Sequence, residues 1–129
     1  MAGELILVVE DDGKSRRLVH DVLEYEGYRV AEATAGDEGV RLAKELVPAL
    51  ILMDIQLPVL DGIAALALIR EDPATRTIPV VAVTASAMEH DRPKIRAAGF
   101  DGHQHKPINV REFVALVRRM VDSGARGEA

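Results

Sequence analysis

Three consecutive acids, Glu10, Asp11 and Asp12, follow directly on the apolar run Leu5–Val9. At ~4 Å two such charges repel by about 1 kcal/mol in water and by about 4 kcal/mol at an effective dielectric of 20. A cluster of this kind needs a use that offsets its cost. Further along, Asp54 follows the run ALILM, Thr84 follows VVAV, and Lys106 follows a short polar stretch. Carboxylate oxygens with no cysteine, and no necessary histidine, suit a hard divalent cation, Mg²⁺ or Mn²⁺, better than Zn²⁺. A hydroxyl and an ammonium beside them would donate to phosphoryl oxygens. A carboxylate next to the cation could itself be a nucleophile and form an aspartyl phosphate. Any one of these acids, taken alone, reads more readily as a solvated loop residue or a helix N-cap; the four strand ends together do not.

The elements that must position them are visible in the hydrophobic pattern. Strands are expected over Leu5–Val9, Arg29–Ala33, Ala49–Met53, Val80–Thr84 and, more weakly, around His103–His105. Helix-length segments separate them. Leu18, Val19, Val22 and Leu23 give the first helix one apolar face, closing at Gly27. Asp37 to Val47 places Val40, Ala43, Leu46 and Val47 on one face and ends at Pro48. Pro93 is tolerated only in a first turn, so the fourth helix should start near Asp91. Val110, Phe113, Val114, Val117 and Val121 form the last stripe, opened by an Asn109–Glu112 capping box.

Strands alternating with helices predict a parallel sheet covered on both faces, an α/β sandwich. ILVV, ALILM and VVAV are apolar without alternation, as strands buried on both sides should be. In such sheets ligands bind outside the carboxyl ends of the strands. Glu10–Asp12, Asp54–Gln56, Thr84–Ser86 and His105–Pro107 all fall there.

The chain has 129 residues, about one domain's worth, with a core expected over 4–122 and a flexible tail over 123–129. A net charge of −5 argues against nucleic acid or an anionic membrane as direct partner, and aromatics at 3% offer no stacking platform. No cysteine permits a disulfide, and no apolar stretch has the length or flanks of a signal peptide or membrane span. A cytoplasmic protein is the expectation.

With ILVVEDD, LILMDIQLPVLDG, IPVVAVTASAM and AAGFDGHQHKPI in this order, the chain resembles the receiver domain of two-component response regulators over nearly its whole length. The resemblance implies a flavodoxin-like (βα)5 fold, a three-layer sandwich whose five-stranded sheet has the order 2-1-3-4-5. It implies that Asp54 accepts a phosphoryl group from a phosphohistidine on a sensor histidine kinase or histidine phosphotransfer protein. Asp11 and Asp54 would bind Mg²⁺ (or Mn²⁺) directly, Glu10 through a water, and the Gln56 carbonyl would complete the protein ligands. Thr84 and Lys106 would hold phosphoryl oxygens, and the Lys106–Pro107 bond would be cis. Side chains at Gln56 and Ser86 would modulate hydrolysis of the acyl phosphate.

Such a domain is a two-state switch, in which Thr84 moves inward and the side chain at position 103 fills the space left. That side chain is often Tyr or Phe in the family; here it is His103, which could loosen the coupling or make it pH-sensitive. Output would be protein–protein contact with a downstream target that the sequence does not name, or onward phosphorelay.

An aspartyl-nucleophile phosphatase is the enzymatic alternative. It would need a second Asp two residues after the first, where Gln56 stands and cannot act as acid or base. A flavin carrier on the same fold would need a phosphate loop after the first strand, where EDD would repel it. His103 and His105 could pair on a metal, but the carboxylates make the better hard-cation site. His20 and His90 read as surface residues. In the third helix Ile63, Leu66 and Ile69 can make the core stripe, leaving Ala64, Ala65 and Leu68 opposite it. A helix apolar all round has a covered second face, so a homodimer or partner contact centred on Leu68 is one expectation; alanines serving only helix propensity are the other.

Overall fold

Leu50–Asp54 and Val80–Thr84 are buried at every position, and Leu5–Val9 from Ile6 onward. Strands this apolar cannot face water on either side, so each must be roofed by helices above and below. The computed structural model, which describes residues 3–85 and 92–123, shows this arrangement. Along the chain come β1 (Leu5–Val9), α1 (Gly13–Tyr25), β2 (Arg29–Ala33), α2 (Gly36–Leu46), β3 (Leu50–Asp54), α3 (Gly62–Glu71), β4 (Val80–Thr84), α4 (Arg92–Ala98), β5 (Gly102–His105) and α5 (Val110–Asp122). The five strands are parallel in the order β2-β1-β3-β4-β5, with Leu7 beside Ile51, Met53 beside Ala82 and Ala82 beside His103.

Alternate strand residues feed two cores. Leu7, Val9, Ile51, Met53, Val80 and Ala82 pack against residues of α2, α3 and α4. Ile6, Val8, Leu50, Leu52, Val81 and Val83 pack against Val19, Leu23, Phe113, Leu116 and Val117 of α1 and α5. The result is the α/β three-layer sandwich expected from the sequence.

Helix starts are set by short polar side chains. Asp12 Oδ2 accepts from the Ser15 N–H at 2.9 Å, Asp61 Oδ1 from Ala64 at 2.9 Å, and Asn109 Oδ1 from Glu112 at 3.1 Å. Each satisfies one of the orphan donors of a first turn. Pro93 falls in the first turn of α4; Asp91 lies outside the described residues.

The helix faces differ from the pattern in four helices. Ile63 is 44% exposed, and Gly62 and Ala65 join Leu66 and Ile69 in the buried stripe of α3. The reason is close approach: an added Cβ on Gly62 would lie 2.3 Å from the Asp54 carbonyl oxygen. The first turn of α3 leaves no room for a side chain at Gly62, and with Leu66 and Ile69 filling the stripe beyond it Ile63 turns out to the flank. Leu68 is 38% exposed on the other flank, about 140° around the helix from Ile63 at 100° per residue. The two therefore do not share one apolar face. In α2, Leu46 and Val47 are exposed while Val40 and Ala43 are buried. Val47 takes a left-handed conformation (φ 44°) at the helix C-cap, its N–H donating to the Ala43 carbonyl, and Pro48 follows, where the helix cannot continue. Leu18 and Val110 are likewise exposed at the margins of their stripes.

Among the described residues no helix is long and apolar enough to cross a membrane.

Candidate functional site

The carboxyl ends of β1, β3, β4 and β5 lie at one edge of the sheet, and the register decides what meets there. Val9 pairs with Met53, so Glu10 and Asp54 stand one step beyond a paired position on adjacent central strands. Asp54 pairs with Val83, which brings Thr84 to the neighbouring end, and Thr84 pairs with His105, just before Lys106.

Glu10 is 4% exposed and Asp54 7%, both very low for acids, while Asp11 is exposed. One carboxylate oxygen from each of Glu10, Asp11 and Asp54 lies within 4.8 Å of the others. Lys106 Nζ stands 2.5 Å from Glu10 Oε1 and 3.0 Å from Asp54 Oδ2. The other Asp54 oxygen accepts from the Gln56 N–H at 3.1 Å, and Glu10 Oε2 accepts from the Asp12 N–H at 3.0 Å. Thr84 is buried, and its carbonyl accepts from the Lys106 N–H at 3.0 Å. The Lys106–Pro107 peptide is cis.

Three carboxylates face one ammonium, leaving a surplus of negative charge in a half-dry cleft. Burial pushes the Glu10 carboxyl above its ordinary range, and the charge of Asp54 adds to this, against the opposing pull of Lys106 and the Asp12 N–H. For Lys106 burial alone would lower the pKa, but hydrogen bonds to Glu10 and Asp54 outweigh it and raise it. The lysine is thus held charged. A set of oxygen donors with uncompensated charge fits a hard divalent cation, which would offset the mutual repulsion of the carboxylates.

A family model described as the response regulator receiver domain matches residues 6–118. The chain belongs to that family. The receiver domain is similar to the polar-differentiation response regulator DivK of Brucella ovis, 39% identical over 113 residues that cover 88% of this chain and 92% of that protein. Among solved structures it is similar to the receiver domain of sensor histidine kinase PA1611 from Pseudomonas aeruginosa, a crystal structure with a magnesium ion coordinated in the active site cleft. That match has a TM-score of 0.87 and 36% identity, covering 94% of this chain and 99% of the other. The signal receiver domain of a histidine kinase from Syntrophus aciditrophicus matches with a TM-score of 0.86 and 29% identity, covering 98% of this chain and 96% of the other. The flavodoxin-like fold and the phosphorylation-activated signalling class follow from these relationships together with the strand order.

The receiver domain brings Glu10, Asp11, Asp54 and Lys106 into one cluster, with Thr84 at the adjoining strand end. Gln56 is exposed in the loop after β3. Asp12 stands apart: its side chain caps α1, and the hydrogen bonds from Ser15 lower its pKa. His103 is half-buried on β5 on the α3–α4 side, its ring centroid 6.1 Å from that of exposed His105. Ser86 and His90 lie outside the described residues.

Two features escaped the sequence reading. Gly62 packs its backbone against Asp54 and Ile55, and its N–H donates to the Ile55 carbonyl at 2.8 Å. His20, expected as a plain surface residue, is held between Glu32 Oε2 (2.7 Å) and Glu24 Oε2 (3.2 Å). The i, i+4 spacing of His20 and Glu24 was a usable signal, whereas Glu32 comes from another element and left none.

Proposed function

We propose that Asp54 accepts a phosphoryl group from a phosphohistidine on a sensor histidine kinase or histidine phosphotransfer protein. The observation that carries this reading is the position of Asp54: it is the buried carboxylate at the centre of the cluster, ion-paired to Lys106 and within reach of Glu10 and Asp11. In the transfer an Asp54 oxygen forms the new bond to phosphorus as the P–N bond breaks, and the imidazole nitrogen keeps the electron pair. Glu10, Asp11, Asp54 and the Gln56 carbonyl are the groups to hold Mg²⁺ or Mn²⁺, Glu10 through a water. When bound, that cation offsets the negative charge that otherwise repels the incoming group. Lys106 is drawn from its two carboxylates toward a phosphoryl oxygen, and the Thr84 hydroxyl donates to another.

Movement of Thr84 then biases the whole domain between two states, with His103 filling the space it leaves. Water attack on the acyl phosphate resets the switch, at a rate tuned by the side chains at Gln56 and Ser86. The module spans the chain as a signalling protein of the cytoplasm, where its phosphodonor acts. Beside Lys106 a groove of about 160 Å³ is lined by Lys14, Leu18, Val83, Pro107 and Ile108, an apolar seat for the donor protein next to the acceptor. A downstream protein or a further relay partner reads the phosphorylated state, and exposed Leu68 on α3 is a candidate contact for such a partner or a second copy.

Transfer from a phosphorylated histidine phosphotransfer protein, followed as loss of donor label and gain on this chain, tests the reading. Label should appear with Mg²⁺ present and be absent from Asp54→Asn. Label persisting in that variant would place the acceptor elsewhere.

A further inference from the structure

Glu10 lies one residue past the end of β1, where the chain leaves the sheet. Its N–H still donates to the Ala33 carbonyl of β2 at 2.9 Å. Its own carbonyl sits in a buried residue and needs a donor, as any buried backbone group does. That donor is Arg16, one turn into α1: Nη1 lies 2.9 Å from the Glu10 carbonyl oxygen and 3.4 Å from that of Asp11. The guanidinium is itself held, its Nε 3.5 Å from Glu32 Oε1 on β2. The second Glu32 oxygen is engaged by His20 Nδ1 at 2.7 Å, and His20 faces Glu24 on its other side. Arg17 and Asp21, which line the same hollow, pair with each other at 3.3 Å and leave this chain of contacts undisturbed.

We infer that Arg16 is a positioning residue for the acidic cluster, clamping the Glu10 and Asp11 peptides so that their carboxylates converge with Asp54. The inference rests on the reading that these acids hold a divalent cation. Both polar backbone groups of Glu10 are thereby tied to the end of β2, the N–H directly to Ala33 and the carbonyl through Arg16 to Glu32. The segment between β1 and α1 is only Glu10–Asp12, so fixing two successive carbonyls fixes the directions of both side chains. Glu32, braced by His20, keeps the guanidinium from swinging into solvent.

The clamp and simple electrostatics predict opposite signs. A guanidinium near the cluster repels a dication, so deleting its charge should tighten Mg²⁺ binding if Arg16 acts by charge alone. If it acts by position, deletion should weaken binding. Amide hydrogen exchange of the metal-free protein in EDTA, followed by a Mg²⁺ titration read by NMR chemical shifts, separates the two. In Arg16→Met the hydrogen-bonded Glu10 and Asp12 amides should exchange faster, and the Mg²⁺ dissociation constant should rise by about tenfold, the scale of lost outer-shell support. Glu32→Gln should give a smaller rise in the same direction. Arg16→Lys keeps the charge and the fold but cannot span both carbonyls and Glu32, so it should recover only part of the affinity. Unchanged exchange, or Mg²⁺ affinity equal to or above that of the parent in Arg16→Met, overturns the clamp. A parent protein that gives no Mg²⁺ response sinks the metal reading, and the exchange rates then decide the clamp by themselves.

Discussion

At the residue scale, adjacent acids of like charge have unlike roles. Asp11 contributes an oxygen to the cluster, whereas Asp12 spends its carboxylate on the Ser15 N–H. Asp11→Ala should weaken Mg²⁺ binding most among the three acids of the triplet and leave thermal stability nearly intact. Asp12→Ala should lower the melting temperature and barely change Mg²⁺ affinity; calorimetric titration and melting together check both. His20 gives a prediction with a definite sign. Burial opposes its charge, but Glu32 and Glu24 outweigh that and raise its pKa. A group whose folded-state pKa is raised contributes stability fully below its unfolded value, about 6.5, and loses it as pH rises through the folded-state value. The stability gap between the parent and His20→Gln should therefore be widest below the unfolded-state value of about 6.5 and narrow as pH rises above it in denaturant titrations. A gap that does not change with pH contradicts the assignment. The acids at the ends of β1 and β3 were legible in the sequence because they stand directly after apolar runs, whereas Lys106, after the polar stretch of β5, was legible through the family's motif order. Arg16, His20 and Glu32 were not, since their meeting depends on how α1 lies across β2, which no local pattern records.

At the element scale, the loop and helix after β3 hold Asp54 in place by fit. An added methyl on Gly62 would stand 2.3 Å from the Asp54 carbonyl oxygen and 2.8 Å from Ile55 Cα, both backbone atoms that cannot swing aside. Gly62→Ala should cost about 1–3 kcal/mol, the usual penalty of overpacking, measured by chemical unfolding. Gly13→Ala is the control: its methyl would meet nothing nearer than Arg16 Nη2 at 4.0 Å, so it should be neutral or stabilising. In the same loop Val59 is exposed and adopts φ 69°, a conformation that a β-branched residue enters only with strain. Val59→Asn should stabilise by about 1 kcal/mol. The strands and most helix bounds could be read from the sequence because periodicity reports burial directly. Ile63 and Ala65 exchanged their expected places because the rotation of α3 follows from the close approach of Gly62 to the Asp54 and Ile55 backbone, a property of the packed pair.

At the scale of the whole molecule, the sheet order follows from the alternation of strand and helix once the family resemblance supplies the crossover pattern. The exposed apolar side chains of α3 were harder to interpret. Leu68 and Ile63 lie on opposite flanks, so a broad second face does not form, and Leu68 alone remains as a contact point. Leu68→Glu should reduce self-association or partner affinity in sedimentation and binding measurements; identical behaviour removes Leu68 from the contact. The central claim is that the molecule converges its strand ends on Asp54 so that this one carboxylate is phosphorylated. Incubation with acetyl phosphate and Mg²⁺, read by intact mass, tests it most directly. The chain should gain one phosphoryl group, and the gain should be absent without a divalent cation and absent in Asp54→Ala. No gain under any metal condition, or the same gain in Asp54→Ala, would contradict it.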